Sequence, residues 1–101
     1  MTERYNSFGD FYPFYLSEHS NRICRRLHFV GTSFVVLIAV SALISGQYLW
    51  LLAAPVAGYA FAWVGHFAFE KNRPATFSYP WYSLLGDWVM FKDILTRRIP
   101  F

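Results

Sequence analysis

The chain has polar ends and one long apolar stretch in its centre. From Leu27 to Phe69 there is no Asp, Glu, Lys or Arg, which makes an uncharged run of 43 residues. A helix that crosses a membrane needs about 20 mostly apolar residues. The run is therefore long enough for two spans joined by a short turn, and it predicts an all-α integral membrane protein built around a helical hairpin.

Local signals place the ends of the two spans. The Ser20–Asn21 pair favours a helix N-cap and Gly46 is suited to a helix C-cap, so the first span should lie between them. The second span is predicted from about Tyr48 to Phe69, and the Asn72–Pro74 segment should stop it. Pro55 lies in the first two turns of this span, where it could kink the helix.

Two shorter amphipathic helices are predicted on either side of the hairpin. The stretch FGDFYPFYLSEHS, residues 8–20, predicts a short N-terminal helix, with Asp10 as its cap and Pro13 in its first turn. The tail predicts a helix from about Trp81 to Thr96. Its three charged residues favour packing at the interface or on the hairpin, with a third span as the alternative. One face of this helix carries Trp81, Leu84, Leu85, Trp88, Phe91 and Leu95. Residues 1–101 should form a single membrane-embedded domain.

Composition and charge agree with a multi-pass membrane protein. Hydrophobic residues make up 55% of the chain and charged residues 15%, against about 25% charged residues in soluble domains. Basic residues flank both ends of the apolar run, so the positive-inside rule predicts that both termini face the cytoplasm. The net charge of +3 forms no stripe on a polar domain, and nucleic-acid binding is not expected. Cys24 is the single cysteine, which excludes an internal disulfide; we expect it to be a packed apolar side chain.

The three histidines are spaced so that a hairpin would bring them together. His28 lies about 18 residues before a turn at Gly46–Gln47 and His66 about 19 after it, so both would lie roughly 28 Å from the turn. His19 is nine residues before His28, about 13 Å away on a continuous helix. It can join the others only if the chain folds back at Ser20–Asn21. A single histidine near a helix end is more often structural, but this joint placement favours a metal site.

Two carboxylates and three arginines are further candidates near this site. Glu70 is one helical turn beyond His66, where it could be a metal ligand, an acceptor for the His66 ring or a partner of a neighbouring cation. Asp87 could face inward, although a place in the first turn of the last helix is the favoured explanation. Arg22, Arg25 or Arg73 could hold a carboxylate headgroup or act only as membrane-flanking charges. Three imidazoles suit zinc, iron, copper or nickel, and the ligand set alone does not choose between them.

Three segments of the sequence resemble a small family of membrane proteins first described as a domain of unknown function. They are FYPFYLSEHSNRICRRLHFVG, GYAFAWVGHFAFEKNRPATF and SLLGDWVMF, and the likeness extends over nearly the whole chain. The family is typified by the fungal 2-hydroxy fatty acid dioxygenase of phytosphingosine breakdown. The resemblance implies an iron(II)-dependent oxidoreductase that uses O2 to shorten a lipid-like 2-hydroxy fatty acid by one carbon at the membrane surface. It also implies that His19, His28 and His66 hold the iron, with Zn2+ as the less expected metal.

Some features leave alternatives open. The chain is shorter than the fungal type and resembles a bacterial style of member, so the substrate need not derive from a sphingolipid. A bacterial inner membrane is then the expected location. A haem protein with His28 and His66 as axial ligands is one alternative, and a non-enzymatic membrane scaffold is the other. The sequence does not indicate an oligomeric state.

Overall fold

The structure, a computed structural model, describes residues 5–101. Within that range the chain forms helices joined by short turns. The helices are α1 (Phe8–Ser17), α2 (Arg22–Ser45), α3 (Ala53–Val64) and α4 (Pro80–Leu95). A 3₁₀ turn at Tyr48–Leu52 leads into α3, a π-helical turn at Gly65–Glu70 continues it, and a second 3₁₀ turn at Ala75–Phe77 leads to α4. The predicted all-α class is confirmed for the described residues.

Helix α2 begins and ends where the local chemistry predicts. The Asn21 side-chain oxygen accepts hydrogen bonds from the N–H groups of Ile23 and Cys24, at 2.8 and 3.2 Å. These bonds satisfy two of the amides that a helix N-terminus leaves without a partner. At the other end Gly46 has a φ of 73°, a left-handed conformation that glycine adopts without a Cβ penalty. Both predicted boundaries are confirmed.

The two long helical runs of the hairpin pack closely at small residues. Gly31 lies so near α3 that an added Cβ would be 2.7 Å from the Cβ of Phe61. A Cβ on Gly58 would lie 3.0 Å from a methyl group of α2, and one on Gly65 would lie 3.0 Å from Cys24 Sγ. Small residues permit this approach of helix backbones. Cys24 is fully buried at the contact, as predicted.

Both long runs have the length and apolarity of candidate membrane spans. They are Arg22–Ser45 and Tyr48–Glu70, and their apolar side chains are mostly not covered by the rest of the protein. Ile44 and Leu49, for example, are each 82% exposed. Helix α4 has 16 residues, fewer than the roughly 20 that a span needs. It docks on α1 and α2 instead, as expected from its charged residues.

Helices α1 and α4 share the largest cluster of buried apolar side chains. Phe11 and Tyr15 of α1 meet Met90 and Ile94 of α4, and Ala75 closes the cluster. Rings pack around Phe11, with the Tyr79 and Tyr82 rings 5.3 and 5.4 Å away between centroids. This aromatic core holds α1 next to the charged end of the hairpin. The turn that follows α1 is thereby fixed in position.

The start of α1 differs from the prediction. Ser7 is the N-cap: its Oγ accepts a hydrogen bond from the N–H of Asp10 at 3.1 Å. The helix therefore begins three residues earlier than an Asp10 cap would require. Asp10 instead lies in the first turn, where a negative charge favours the helix N-terminus. Pro13 consequently lies inside the helix and not in its first turn.

Several large apolar side chains of α4 point away from the core, whereas Met90 and Ile94 are buried in it. Trp81 is 79% exposed, and Leu85 is also exposed. Gly86 faces α1 at the point where the Tyr15 ring packs against α4. A Cβ on Gly86 would lie 2.8 Å from the ring. Helix α4 therefore docks through Gly86, Met90 and Ile94 and leaves Trp81 and Leu85 on the outer surface.

Candidate metal centre

The three histidine rings meet in one buried cluster. His19 lies in the turn after α1, His28 in α2 and His66 in the π-helical turn after α3. The ring centroids are 4.3 Å (His19–His28), 4.5 Å (His19–His66) and 5.0 Å (His28–His66) apart. One nitrogen from each ring lies within 4.8 Å of the other two. The predicted convergence of the histidines is confirmed.

The fold-back at Ser20–Asn21 makes this convergence possible. Helix α1 ends at Ser17 and α2 begins at Arg22, so the turn between them reverses the chain. The Nε2 atoms of His19 and His28 are consequently 3.1 Å apart, whereas nine residues on a continuous helix would separate the two residues by about 13 Å. The rings are 1% and 5% exposed, and His66 is 2% exposed.

Each ring uses its Nδ1 atom to bond a neighbouring oxygen. His19 Nδ1 donates to the Tyr15 carbonyl at 2.6 Å and His28 Nδ1 to the Cys24 carbonyl at 3.2 Å. His66 Nδ1 donates to Asn72 Oδ1 at 2.8 Å. A carbonyl oxygen only accepts hydrogen bonds, so Nδ1 carries the proton in each ring. A neutral imidazole has one N–H, and each Nε2 therefore keeps a free lone pair.

These lone pairs make the cluster suitable for a cation. Two unprotonated Nε2 atoms at 3.1 Å repel each other unless a positive centre lies between them. Protonation of His19 is disfavoured, because burial first, and then the His28 ring, lower the pKa of His19 well below its ordinary value. Two nitrogens bound to one ion at about 2.0–2.1 Å lie roughly 3 to 4 Å apart, which agrees with the observed spacing.

The space beside the histidine rings is large enough for one metal ion. Its volume is about 10 Å³, close to the smallest space that admits one water molecule. A metal ion with one small ligand fits there, while a haem macrocycle is far too large. The donor set and the space together could hold a metal ion, and three neutral imidazoles leave its identity open.

Asn72 holds the His66 ring, a role that the sequence did not reveal. Its Nδ2 donates to the carbonyl and the carboxylate of Glu18 at 3.2 and 3.3 Å, which fixes the amide so that Oδ1 faces His66. Lys71 adopts a left-handed φ of 61°, and the chain turns back so that the Asn72 N–H bonds the His66 carbonyl at 3.1 Å. The sequence indicated Asn72 only as part of a helix stop.

Glu70 contacts the fold-back turn and not the His66 ring. Its carboxylate accepts hydrogen bonds from the Asn21 N–H and from Ser20 Oγ at 3.3 Å. A negative charge in this position stabilises the N-terminus of α2. Glu70 thus holds together the turn that places His19, and the ring-orienting role considered for it belongs to Asn72.

Asp87 faces the site, and its predicted place in the first turn of the last helix is wrong. Helix α4 begins at Pro80, so Asp87 lies two turns inside it. Asp87 Oδ1 accepts a hydrogen bond from the Tyr15 hydroxyl at 2.5 Å, and the Tyr15 ring stacks on His19 with centroids 4.1 Å apart. Burial raises the pKa of Asp87 to about 6, and the Tyr15 hydrogen bond lowers it by less.

Ser83 is a further polar residue of the site that sequence reasoning missed. It is buried, and its Oγ has no hydrogen-bond partner among the described residues. Ser83 lies one helical turn before Asp87, and both line the space beside the histidines. A serine four residues before an inward-facing aspartate is the signal that would have indicated it, once the orientation of α4 was known.

Two of the three arginines predicted to bind a headgroup, Arg22 and Arg73, do not lie with the histidines. Arg22 is exposed at the start of α2. Arg73 is also exposed, and its guanidinium lies 5.0 Å from the centroid of the Phe77 ring. Arg25 comes nearer, because its Nη1 donates to the His19 carbonyl at 3.4 Å. A direct role for Arg22 or Arg73 at the histidines has no support in this geometry.

A larger apolar groove adjoins the space beside the histidines. Its volume is about 180 Å³ and its walls come from α2, α3 and α4. His28, Tyr59, Ala62 and Asp87 line both spaces. The metal-binding candidates therefore lie at one end of an apolar groove.

Comparison with known proteins gives one match. A family model described as 2-hydroxy-palmitic acid dioxygenase Mpo1-like matches residues 5–99. No curated protein and no solved structure matches the chain. The matched range includes all three histidines, Asn72, Ser83 and Asp87.

Proposed function

The chain belongs to the 2-hydroxy-palmitic acid dioxygenase Mpo1-like family, and we propose that it is an iron(II)-dependent dioxygenase of 2-hydroxy fatty acids. The overall reaction consumes one O2 per acid and gives the acid shortened by one carbon, CO2 and water. The single observation that carries the proposal beyond the family name is the set of three inward lone pairs on His19, His28 and His66.

Hydrogen bonds within the protein orient the three histidine rings for metal binding. The Tyr15 carbonyl, the Cys24 carbonyl and the Asn72 amide oxygen each hold one Nδ1 proton. Such hydrogen bonds fix the tautomer and the orientation of a ligating histidine. His19, His28 and His66 would hold the ion through Nε2 without reorganisation of their rings.

Three protein ligands leave coordination positions on the ion open. Bound iron(II) would supply a Lewis acid and a source of electrons for the activation of O2. The surrounding residues exclude bulk water, since all three histidines are buried. Tyr15 holds the Asp87 carboxylate at the edge of the same space, where it can accept a hydrogen bond from a substrate hydroxyl.

The proposed setting is the surface of a membrane. Arg22 and Arg26 precede the apolar part of α2, and Lys71 and Arg73 follow the second long run. These charges and the histidines share one end of the hairpin, which the positive-inside rule assigns to the cytoplasmic face together with both termini. A fatty acid could then enter the groove from the bilayer. For a bacterial member this would be the inner membrane.

The size of the site argues against the haem alternative. A space of about 10 Å³ accepts an ion and not a macrocycle. Zinc would suit three imidazoles equally well, so the metal itself has to be measured. A scaffold protein would have no need of three oriented rings and should purify without stoichiometric metal.

The test combines metal analysis with turnover. Protein purified without oxygen is analysed for iron and zinc, then supplied with 2-hydroxy-palmitic acid and O2. We expect about one iron per chain and a product one carbon shorter by mass spectrometry, matched by O2 uptake. The His28→Gln and His66→Gln variants should each lose metal and turnover, while Ser33→Ala on α2 serves as the control. Full metal content and turnover in either histidine variant would show that the ligand assignment is wrong.

A further inference from the structure

Helix α4 presents two neighbouring rows of side chains to the two adjoining spaces. Ser83 and Asp87 line the space beside the histidines. Leu84 and Trp88, each one residue further along, line the apolar groove, which Asp87 also touches. Residues four apart in a helix lie on the same face. One helix thus offers a polar row to the histidines and an apolar row to the groove.

The polar row has unused hydrogen-bonding capacity. Ser83 Oγ has no partner among the described residues. Asp87 accepts from the Tyr15 hydroxyl through Oδ1, and a carboxylate can accept further hydrogen bonds. Buried polar atoms are usually satisfied, and leaving them unpaired is unfavourable. The row therefore suits a ligand that carries both a donor and an acceptor.

The apolar row suits part of a hydrocarbon chain. A cavity of about 150 Å³ binds benzene, so the groove of about 180 Å³ has room for about six to eight carbon atoms. Leu84 and Trp88 are 41% and 42% exposed, which means that they lie at the rim. The remainder of a longer chain would leave the groove past these two residues.

We propose that α4 is the substrate-recognition helix, in which Ser83 and Asp87 bind the polar end of a 2-hydroxy fatty acid and Leu84 and Trp88 contact its chain. The identity of this substrate rests on the proposed function. The Asp87 carboxylate would repel the carboxylate of the substrate. It therefore accepts a hydrogen bond from the 2-hydroxyl group. Ser83 donates to a substrate oxygen. The groove takes the carbons that follow the hydroxyl-bearing carbon.

The Ser83→Ala variant tests the polar row. Since the hydroxyl has no partner to lose, the thermal midpoint and iron content should be unchanged or higher. The KM for 2-hydroxy-palmitic acid should rise about tenfold, the effect of one lost hydrogen bond of average to high strength. Ser33→Ala is the matched control. A normal KM in Ser83→Ala would overturn the recognition role of Ser83.

The Leu84→Trp and Leu85→Trp pair tests the apolar row. The two leucines are neighbours and similarly exposed, but only Leu84 lines the groove. Leu84→Trp should lower kcat/KM for 2-hydroxy-palmitic acid by about tenfold, equivalent to about two methylene groups displaced from the groove. It should have little effect on a four-carbon 2-hydroxy acid. Leu85→Trp should stay near the wild-type value for both acids.

A binding measurement separates this inference from the proposed function. The probe is 2-hydroxy-palmitic acid brominated on its chain, which quenches nearby tryptophan fluorescence. Saturable quenching should fall most in Trp88→Phe, since Trp88 lines the groove, and persist in Trp81→Phe, and unbrominated acid should compete. Such binding without turnover would support the recognition role and contradict the dioxygenase activity. Turnover with identical kinetics in Leu84→Trp and Leu85→Trp would overturn the recognition role and leave the activity standing.

Discussion

Replacing Asn72 by alanine is expected to weaken metal binding although Asn72 is not a predicted ligand. The substitution removes the oxygen that accepts the His66 Nδ1 proton at 2.8 Å. The His66 ring can then rotate or move its proton to Nε2. Either change takes away the lone pair that faces His19 and His28.

The size of the effect follows from the contacts that are lost. Removal of a hydrogen-bond partner of a metal ligand typically lowers metal affinity 10- to 100-fold, which corresponds to about 1.4–2.7 kcal/mol. Asn72 also donates two hydrogen bonds to Glu18. Their loss should lower the free energy of unfolding of the metal-free protein by about 1–3 kcal/mol, taking each bond at its usual net value.

Metal affinity and folding stability are measured separately for this reason. Competition with a chelator of known affinity, under anaerobic conditions, gives the dissociation constant of iron(II). Thermal unfolding of the metal-free protein, followed by circular dichroism, gives stability. Gln47→Ala is the matched control, because Gln47 is an exposed amide in the turn at the far end of the hairpin.

A second substitution separates the two functions of the amide. Asn72→Asp keeps an acceptor for His66 but loses both donated bonds and places a negative charge next to Glu18. We expect this variant to lose stability and to retain more metal affinity than Asn72→Ala. An iron affinity of Asn72→Ala within about twofold of wild type would be a change well below the usual range. It would show that the orientation of the His66 ring does not depend on Asn72, and it would refute the prediction.

Three other predictions concern the supports of the site. Glu70→Gln should keep the metal and lower the free energy of unfolding by about 1–2 kcal/mol through its weaker bond to the Asn21 N–H; complete loss of metal from folded protein would instead make Glu70 a ligand. The pKa of Asp87 is raised by burial to about 6, above the unfolded value near 3.9, so its contribution to stability is present below about pH 4 and is lost as the pH rises through about 6. Asp87→Asn should flatten this fall in thermal melts of metal-free protein from pH 4 to 7, and an unchanged slope would contradict it. Gly86→Ala should destabilise the protein by about 1–3 kcal/mol, since the new methyl group would lie 2.8 Å from the Tyr15 ring; an unchanged thermal midpoint would show that α1 can shift without cost.

The Asp87 carboxyl group and the His19 ring respond to pH in opposite senses. Burial disfavours the charged form of each, which is the anion of Asp87 but the cation of His19. The folded-state pKa of His19 is lowered, so its contribution to stability is present above about pH 6.5 and is lost as the pH falls. A comparison of Asp87→Asn with wild type cancels the histidine contribution, because both proteins retain it.

The sequence by itself determined the elements and the depth of the histidines. Caps such as Asn21 and Gly46 act on the backbone of their own neighbours, so local chemistry is enough to predict them. The uncharged run from Leu27 to Phe69 predicts a hairpin, and helical rise then predicts that His28 and His66 lie at one level. His19 can reach His28 only if the chain reverses between them, and this requirement predicts the turn at Ser20–Asn21.

Only the tertiary structure decided which groups complete the site. Asn72 and Glu70 meet their partners across turns and between helices, and no spacing along one helix predicts such contacts. Ser83 faces the site only because α4 packs in one particular orientation. The orientation of α4 was likewise set by packing, because the Tyr15 ring needs the small Gly86 opposite it. Periodicity indicates which residues share a face of a helix, but the shape of the neighbouring helices decides which face is buried.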